Sequence, residues 1–270
     1  MITKTVSLPL PLKWIQPLDF QQKLGICERF FGKAIAGNGV CWVDTGAGIP
    51  WKLDLTNCTH RWIVYGKYEG AAFLNWARKF LPSDGMIVDS GANIGQMLMY
   101  LSQWIPQGKV LAFEPGTEAG NWLEECLAIN SNLPVEVIRA GLGASKAQLR
   151  LQHIGDSLGH GAWSKISETE GEVIQIVRLE DELAARSITN VDLWKLDVEG
   201  YEIPALQGAE TFLKEQRIKA IYAEMFEENG QRIRDYLIQF GYKCYLFDSQ
   251  GKIYSPSKWP NSTNGLFLPN

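Results

Sequence analysis

Val88-Asp89-Ser90-Gly91-Ala92-Asn93-Ile94-Gly95 is the stretch whose reading decides the fold. It follows a short apolar run at 86–89 and precedes a run with helical spacing at 95–104, so it reads as the turn between a strand and a helix. Gly91 and Gly95 allow the backbone to turn tightly and approach a ligand closely. Glu114 closes the next strand-like run, 109–113, where a carboxylate can accept both hydroxyls of a ribose. A tight turn with no ligand would show the same glycines. A dinucleotide site would carry G-x-G-x-x-G, with a pyrophosphate on the helix N-terminus. Here the spacing is G-x-x-x-G with Asn93 inside it, which suits an uncharged or zwitterionic tail better than two phosphates.

Outward from the loop, strand-like and helical runs alternate. A helix is expected over 71–81, strands over 86–89, 109–113 and 135–138, and helices over 95–104 and 118–130. A strand at 193–197, a helix at 204–214, a strand at 220–224 and a helix at 231–240 follow. Repeated βα units imply a parallel sheet with helices on both faces. The last two runs, 243–247 and 265–268, have only a loop between them and predict an antiparallel pair at one sheet edge. Residues 1–69 read as a cap: a helix within 18–36 and three β-rich runs at 40–45, 51–55 and 62–65. Residues 70–270 read as the main domain, with a less regular insertion between 147 and 191.

Composition limits the function. Of 270 residues, 26 are Lys or Arg and 30 are Asp or Glu, giving a net charge of -4, which disfavours binding to a phosphate backbone. The five cysteines form no C-x-x-C pair, which fits a reducing compartment without a disulfide or zinc framework. No apolar run approaches the roughly 20 residues that span a bilayer, and prolines interrupt the N-terminal apolar segment where a signal peptide needs continuity. Asn57-Cys58-Thr59 and Asn261-Ser262-Thr263 match the glycosylation pattern by chance on this reading. The composition points to a cytoplasmic protein with neither nucleic acid nor membrane as a partner; a homodimer is left open.

Four segments together resemble the FkbM methyltransferases, within the class I Rossmann-like methyltransferases. They are Tyr68-Glu69, the 87–95 loop, Phe113-Glu114-Pro115, and Lys195-Leu196-Asp197-Val198-Glu199-Gly200-Tyr201-Glu202 with Leu206-Gln207-Gly208 after it. The last is the most specific, as K-x-D-x-E-G-x-E followed by L-x-G. Ser90, where relatives carry a small apolar residue or Gly, departs from the pattern, as does His160 in a loop where they carry Ser or other polar residues. The resemblance implies a mostly parallel seven-stranded α/β sheet with an antiparallel last strand. It also implies S-adenosylmethionine as donor and a hydroxyl acceptor on a sugar, polyketide or related metabolite.

Carried over by position, Gly91, Asn93 and Gly95 would hold the methionine part, and Asp89 would orient the loop. Glu114 would bind the ribose, with Pro115 next to it also in the cofactor-binding set; Ala140 to Gly143, Gly141 and Leu142 among them, would flank the adenine, and Asp197 would lie beside the sulfonium. Tyr68 and Glu69 would close the pocket. A hydroxyl acceptor must lose a proton, so a base is required. Asp197 and Glu199, two apart on an expected strand, would share a face, with Lys195 two residues earlier and Glu224 ending the next strand. Lys195 reads more readily as an ion-pair partner for these acids than as a base. His160 is the loop histidine that could reach over the site, with weaker claims for His60 and His153. Asp197, Glu199 and Glu224 are compatible with Mg²⁺ as hard oxygen ligands, though nothing requires a metal. Trp163 and Phe226 are candidate aromatic walls for an acceptor pocket built from the cap, the insertion and the loop after Glu224. Asp197-Val198-Glu199-Gly200 lacks the N/D-P-P-Y/F run of many N-methyltransferases, which favours oxygen as acceptor. N-methylation of a small metabolite and a nicotinamide-dependent oxidoreductase on a similar sheet are the alternatives.

Overall fold

The computed structural model describes residues 5–16, 18, 20, 22–45, 48–66, 71–154, 163–248 and 251–270. The chain begins with β1 (Thr5–Val6), α1 (Leu10–Ile15), α2 (Lys23–Cys27), a π-helical turn at Glu28–Gly32 and α3 (Lys33–Ala36). β2 (Val40–Asp44) and β3 (Pro50–Asp54) pair antiparallel, and β1 lies parallel to β2. Residues 62–65, expected as a strand, are instead the end of a helix, α4 (Cys58–Tyr65). The local reason is capping. The Asn57 side chain accepts the Thr59 N–H at 2.9 Å, and Gly66 stops the helix in the left-handed region, so the ends outweigh the β-branched and aromatic residues between them.

The main sheet follows. Its elements are α5 (Ala71–Phe80), β4 (Met86–Ser90), α6 (Leu98–Leu101), β5 (Lys109–Phe113), α7 (Thr117–Ile129) and β6 (Val135–Ile138). After an excursion come β11 (Leu193–Leu196), α9 (Glu202–Gln207), α10 (Glu210–Lys214), β12 (Ile221–Phe226), α11 (Glu227–Ile238), β13 (Tyr242–Phe247), β14 (Ile253–Tyr254) and β15 (Ser262–Pro269). The strand order is β14-β13-β15-β12-β11-β4-β5-β6. Without the short β14 this is a seven-stranded α/β sheet of class I methyltransferase order. β15 is antiparallel to both neighbours, and its pairing with β13 is the antiparallel pair expected of the last two runs, at the edge that only the short β14 extends. It slots between β12 and β13. The helix expected over 204–214 is broken at Gly208, where an added Cβ would meet the Gly143 carbonyl at 2.2 Å.

The excursion is β7 (Gly141–Leu142), β8 (Ala147–Ile154), β9 (Trp163–Ser167), β10 (Glu172–Val177) and α8 (Leu179–Ala185). These strands form a second sheet in the order β7-β10-β8-β9, where the sequence predicted irregular structure. The cap packs on the main domain through β3 and α7. Trp51 donates its indole N–H to the Ile94 carbonyl at 3.2 Å, and Trp122 donates to the Lys52 carbonyl at 2.7 Å. One buried apolar cluster runs from Leu12 and Trp51 in the cap to Leu98 and Val110 in the main domain. No disulfide links any of the cysteines among the described residues. Among the described residues no helix is long and apolar enough to cross a membrane.

Candidate active site

The 91–95 loop is held open by its own hydrogen bonds. Gly91 (φ 73°), Asn93 (φ 50°) and Gly95 (φ 88°) are all left-handed. The Gly91 and Ala92 N–H groups both donate to the Phe113 carbonyl, at 3.0 and 3.1 Å, and the Gly95 N–H donates to the Ala92 carbonyl at 2.8 Å. Glu114 Oε2 accepts the Asn93 N–H at 2.8 Å, while Oε1 accepts the Gly116 N–H at 2.8 Å. Four loop donors are thus committed to protein acceptors. A pyrophosphate needs such N–H groups free, so the loop offers no phosphate nest and the nicotinamide alternative loses its physical basis. Glu114 is buried, and burial pushes its carboxyl upward despite the two N–H donors. Each of its oxygens keeps a second lone-pair direction, which a ribose hydroxyl can use.

Lys195 ties the loop to the end of β11. Its ammonium donates to the Gly91 carbonyl at 2.9 Å and pairs with Asp197 at 3.1 Å and Asp89 at 3.5 Å. Asp89 and Lys195 sit opposite each other in the β4–β11 register, and both are buried. Burial alone would lower the Lys195 pKa, but the two carboxylates outweigh it and hold the ammonium charged well above neutral pH. Burial pushes Asp89 upward against the pull of Lys195. The ammonium lies between two acids, so Lys195 is a charged strut and not a base.

β11 ends at Leu196, so Asp197 and Glu199 lie in a turn and do not share a strand face. Glu199 (φ 53°) and Gly200 (φ 92°) make that turn left-handed. Glu202 fills the capping role: its Oε1 accepts the Val198 and Gly200 N–H groups, each at 3.1 Å, and its Oε2 accepts from Asn229. Burial first, then the nearby negative charge of Asp197 and Glu202, pushes the Glu199 carboxyl up to about 7. Glu224 on β12 is likewise pushed up to about 7 by burial and by Asp197, Glu199 and Glu202.

A cleft of about 470 Å³ joins these pieces, within the range of small-molecule sites. Gly91, Asn93, Glu114, Pro115, Gly141, Leu142, Lys195, Asp197 and Glu199 line it; Asp89, Gly95 and Glu224 are not among its lining residues. Phe226, expected as an aromatic wall, is exposed and also lies off the cleft. Tyr68, Glu69 and His160 fall outside the described residues, as does the Trp163 side chain. Among the described residues no group of three or more His, Cys, Asp or Glu is placed to hold a metal ion, so Asp197, Glu199 and Glu224 are not a Mg²⁺ ligand set.

Other lining residues were not singled out from sequence. Trp122 and Tyr201 belong to them, as do Ile174 and Ile176 of the second sheet. His60 and His153, given the weaker claims, are both in the cleft. His60 Nδ1 accepts the Asp54 N–H at 3.0 Å, and burial pushes its pKa down to about 4, so the ring is neutral with its proton on Nε2. His153 bridges Ser164 (Nδ1, 2.9 Å) and Glu172 (Nε2, 3.1 Å).

The match that assigns the chain covers this site. Residues 89–244 match the family described as the methyltransferase FkbM domain. This chain is a member of the FkbM family of S-adenosylmethionine-dependent methyltransferases. Within the curated relatives, methyltransferase sdnD of Sordaria araneosa is 30% identical over 183 residues, covering 56% of this chain and 70% of that protein. Methyltransferase 1 of Beauveria bassiana is 30% identical over 147 residues, covering 47% of this chain and 59% of that one. A solved rRNA methylase from Streptococcus thermophilus superposes with a TM-score of 0.42 at 13% identity, covering 73% of this chain and 92% of that one. The donor fits the residues present: a glycine-lined turn with its N–H groups occupied, a buried carboxylate at the end of β5, and a cleft of suitable volume.

Proposed function

We propose that this FkbM-family methyltransferase methylates a hydroxyl on a sugar, polyketide or related metabolite. When bound, the donor supplies a methyl group on a sulfonium that is already a good leaving group, so positioning carries most of the catalysis. Glu114 would hold the ribose, with the turn from Gly91 to Gly95 around the amino-acid part. Lys195 would fix that turn against Asp197 by its three contacts. The observation that carries the choice of oxygen is Glu199, a carboxyl in the cleft with its pKa raised to about 7. A group poised at neutral pH can take the proton of a hydroxyl as the C–O bond forms and release it to water afterwards. Glu224 on β12, raised in part by the charge of Glu199, would titrate together with it as a coupled pair.

The experiment has two arms. Purified protein is incubated with S-adenosylmethionine and a panel of hydroxylated acceptors, and products are scored for the mass of one added methyl group. In parallel, Glu199→Gln is titrated with S-adenosylhomocysteine. The expected result is a kcat lower by about 10²–10⁴ with unchanged affinity for the product nucleoside. Methylation of amines and not hydroxyls would overturn the choice of acceptor atom.

A further inference from the structure

The cap sends three polar side chains to the cleft: Asp54 at the end of β3, Asn57 just before α4, and His60 on α4. Each is oriented by a bond that leaves part of its hydrogen-bonding capacity unused. Asp54 Oδ1 accepts the Thr56 N–H at 2.9 Å and the Thr56 hydroxyl at 2.7 Å. Asn57 Oδ1 accepts the Thr59 N–H at 2.9 Å and the Thr59 hydroxyl at 2.8 Å, which fixes the sense of the amide. His60 Nδ1 accepts the Asp54 N–H at 3.0 Å, which puts the ring proton on Nε2. Among the described residues, Asp54 Oδ2, Asn57 Nδ2 and His60 Nε2 have no hydrogen-bond partner. One carboxylate oxygen, one amide NH2 and one ring N–H are left over.

This segment is held against the donor loop. Trp51 on β3 donates to the Ile94 carbonyl at 3.2 Å, and Asn130 Nδ2 donates to the Pro50 carbonyl at 2.8 Å. Trp122 on α7 lines the same cleft. Its indole N–H is spent on the Lys52 carbonyl, the Lys52 ammonium lies 4.1 Å from its ring centroid, and His60 meets it edge-on at 5.8 Å between centroids. Trp122 therefore brings carbon and π surface to the cleft with no free polar atom. Asp197 and Glu199 line that cleft too.

A hydroxyl both donates and accepts. Two neighbouring hydroxyls on one ring can satisfy a carboxylate oxygen and two N–H donors together, while the C–H face of the ring stacks on an indole. An aliphatic chain with a single hydroxyl would desolvate these groups and leave most of them unpaired, which is costly. We propose, on the reading that the methyl acceptor is a hydroxyl oxygen, that Asp54, Asn57 and His60 grip a vicinal diol of the acceptor with Trp122 against its ring, so that the acceptor is a sugar and not a polyketide chain. All three gripping residues precede residue 89, outside the segment that matches the family domain. The choice of acceptor is thereby set by the cap, and the donor by the main domain.

The test is a methyl-transfer assay with the full chain and S-adenosylmethionine. The acceptors are methyl glycosides of hexoses and 6-deoxyhexoses with their monodeoxy analogues, aliphatic alcohols with one hydroxyl each, and amines. Transfer to a glycoside is expected. Removing a hydroxyl other than the methylated one should lower kcat/KM by about ten- to a hundredfold at one position or more. Two variants keep the structural bonds and change only the spare group. Asp54→Asn keeps an oxygen for Thr56 and replaces the other by NH2, and Asn57→Asp keeps the helix cap and removes two donors. Each should raise KM for the glycoside about tenfold or more and leave the affinity for S-adenosylhomocysteine unchanged. Wild-type KM in both variants, or an equal loss of S-adenosylhomocysteine affinity, overturns the proposal. Should a variant fail to fold, the deoxy series in the wild-type chain decides, and a flat series overturns it. No transfer to any glycoside also overturns it: if the alcohols accept the methyl group the hydroxyl reading stands, and if only amines accept it that reading falls as well.

Discussion

The Lys195 ammonium lies 3.1 Å from the Asp197 carboxylate while its other acid contact, Asp89, is fully buried at 3.5 Å. The pair thus joins an inner acid that water does not reach to an outer acid that lines the cleft. Removing the cation should hurt stability before it hurts chemistry. Lys195→Met leaves the buried Asp89 without its counter-charge, so that it must carry an unpaired charge or take up a proton, a change that costs about 3–5 kcal/mol. Urea denaturation would show it as a lowered midpoint. Adding Asp89→Asn to Lys195→Met should recover part of the loss, because the uncompensated charge is gone. Equal midpoints for Lys195→Met and wild type would mean the ion pair does not hold the loop.

A second prediction concerns pH. Unfolded glutamate titrates near about 4.3. In the folded protein Glu199 and Glu224 titrate at about 7, so between these values the folded state binds more protons than the unfolded one. Stability from these groups is therefore lost as pH rises from about 4.3 to about 7. Glu224→Gln should gain stability over wild type at pH 8 relative to pH 5, measured as the difference in denaturation midpoints. His60 runs oppositely: its pKa of about 4 lies below the unfolded value near about 6.5, so its contribution is complete above that value and is lost as pH falls to about 4.

The same carboxylates set the rate profile. If Glu199 takes the acceptor proton, kcat/KM should rise with pH through an apparent pKa of about 7, a value belonging to the coupled acids together. Glu224→Gln removes a negative neighbour and should move that midpoint to lower pH. A midpoint that stays in place would separate Glu224 from the base.

The sheet was legible because its signals are local. The 109–113 and 135–138 strands match β5 and β6 residue for residue, and Glu114 sits where the end of β5 demanded it. The second sheet was not read, although its signal was present: Leu149 and Leu151 alternate with Gln148, Arg150 and Gln152, and Ile174 and Ile176 with Gln175. A polar outer face and the Gly-rich segment between β8 and β9 masked it. Asp197, expected to end the 193–197 strand, lies one residue past β11 and lines the cleft. The site was not legible where distant segments converge: no local pattern brings His60 of α4 or Ile176 of β10 to the cleft of Glu114. Lys195 as a strut for Gly91 depends on the β4–β11 register, which one strand alone cannot reveal.

Ser90, a departure from the family pattern, accounts for a fourth prediction. Its Oγ accepts the Trp194 indole N–H at 2.7 Å, and both residues are fully buried. Ser90→Ala strands the indole donor and should cost about 1–3 kcal/mol. Trp194→Phe removes the donor, so Ser90→Ala added to Trp194→Phe should cost less than Ser90→Ala alone in wild type. A double-mutant cycle by denaturation measures the difference, and additivity of the two changes would sink the pairing as a stabilising contact.

Gly91 supplies the most stringent test of the loop. Its φ of 73° is open to glycine at no steric cost, and an added Cβ would come 1.9 Å from the Asp197 carbonyl oxygen, with backbone and not a flexible side chain in the way. Gly91→Ala must therefore push the loop away from the end of β11. That movement strains the Lys195 hydrogen bond to the Gly91 carbonyl and the two N–H bonds to the Phe113 carbonyl together. Asn93 makes the control. At φ 50° it pays the left-handed cost that glycine avoids, so Asn93→Gly keeps the Glu114 bond to the backbone N–H and relieves strain. Calorimetric titration with S-adenosylhomocysteine should show Gly91→Ala weaker by more than about tenfold, and a lower melting temperature, from a left-handed penalty of about 1–2 kcal/mol before the clash is counted. Asn93→Gly should keep the wild-type melting temperature, with any lost affinity belonging to the missing side chain. Wild-type affinity in Gly91→Ala would mean that the approach of the loop to Asp197 plays no part in holding the donor.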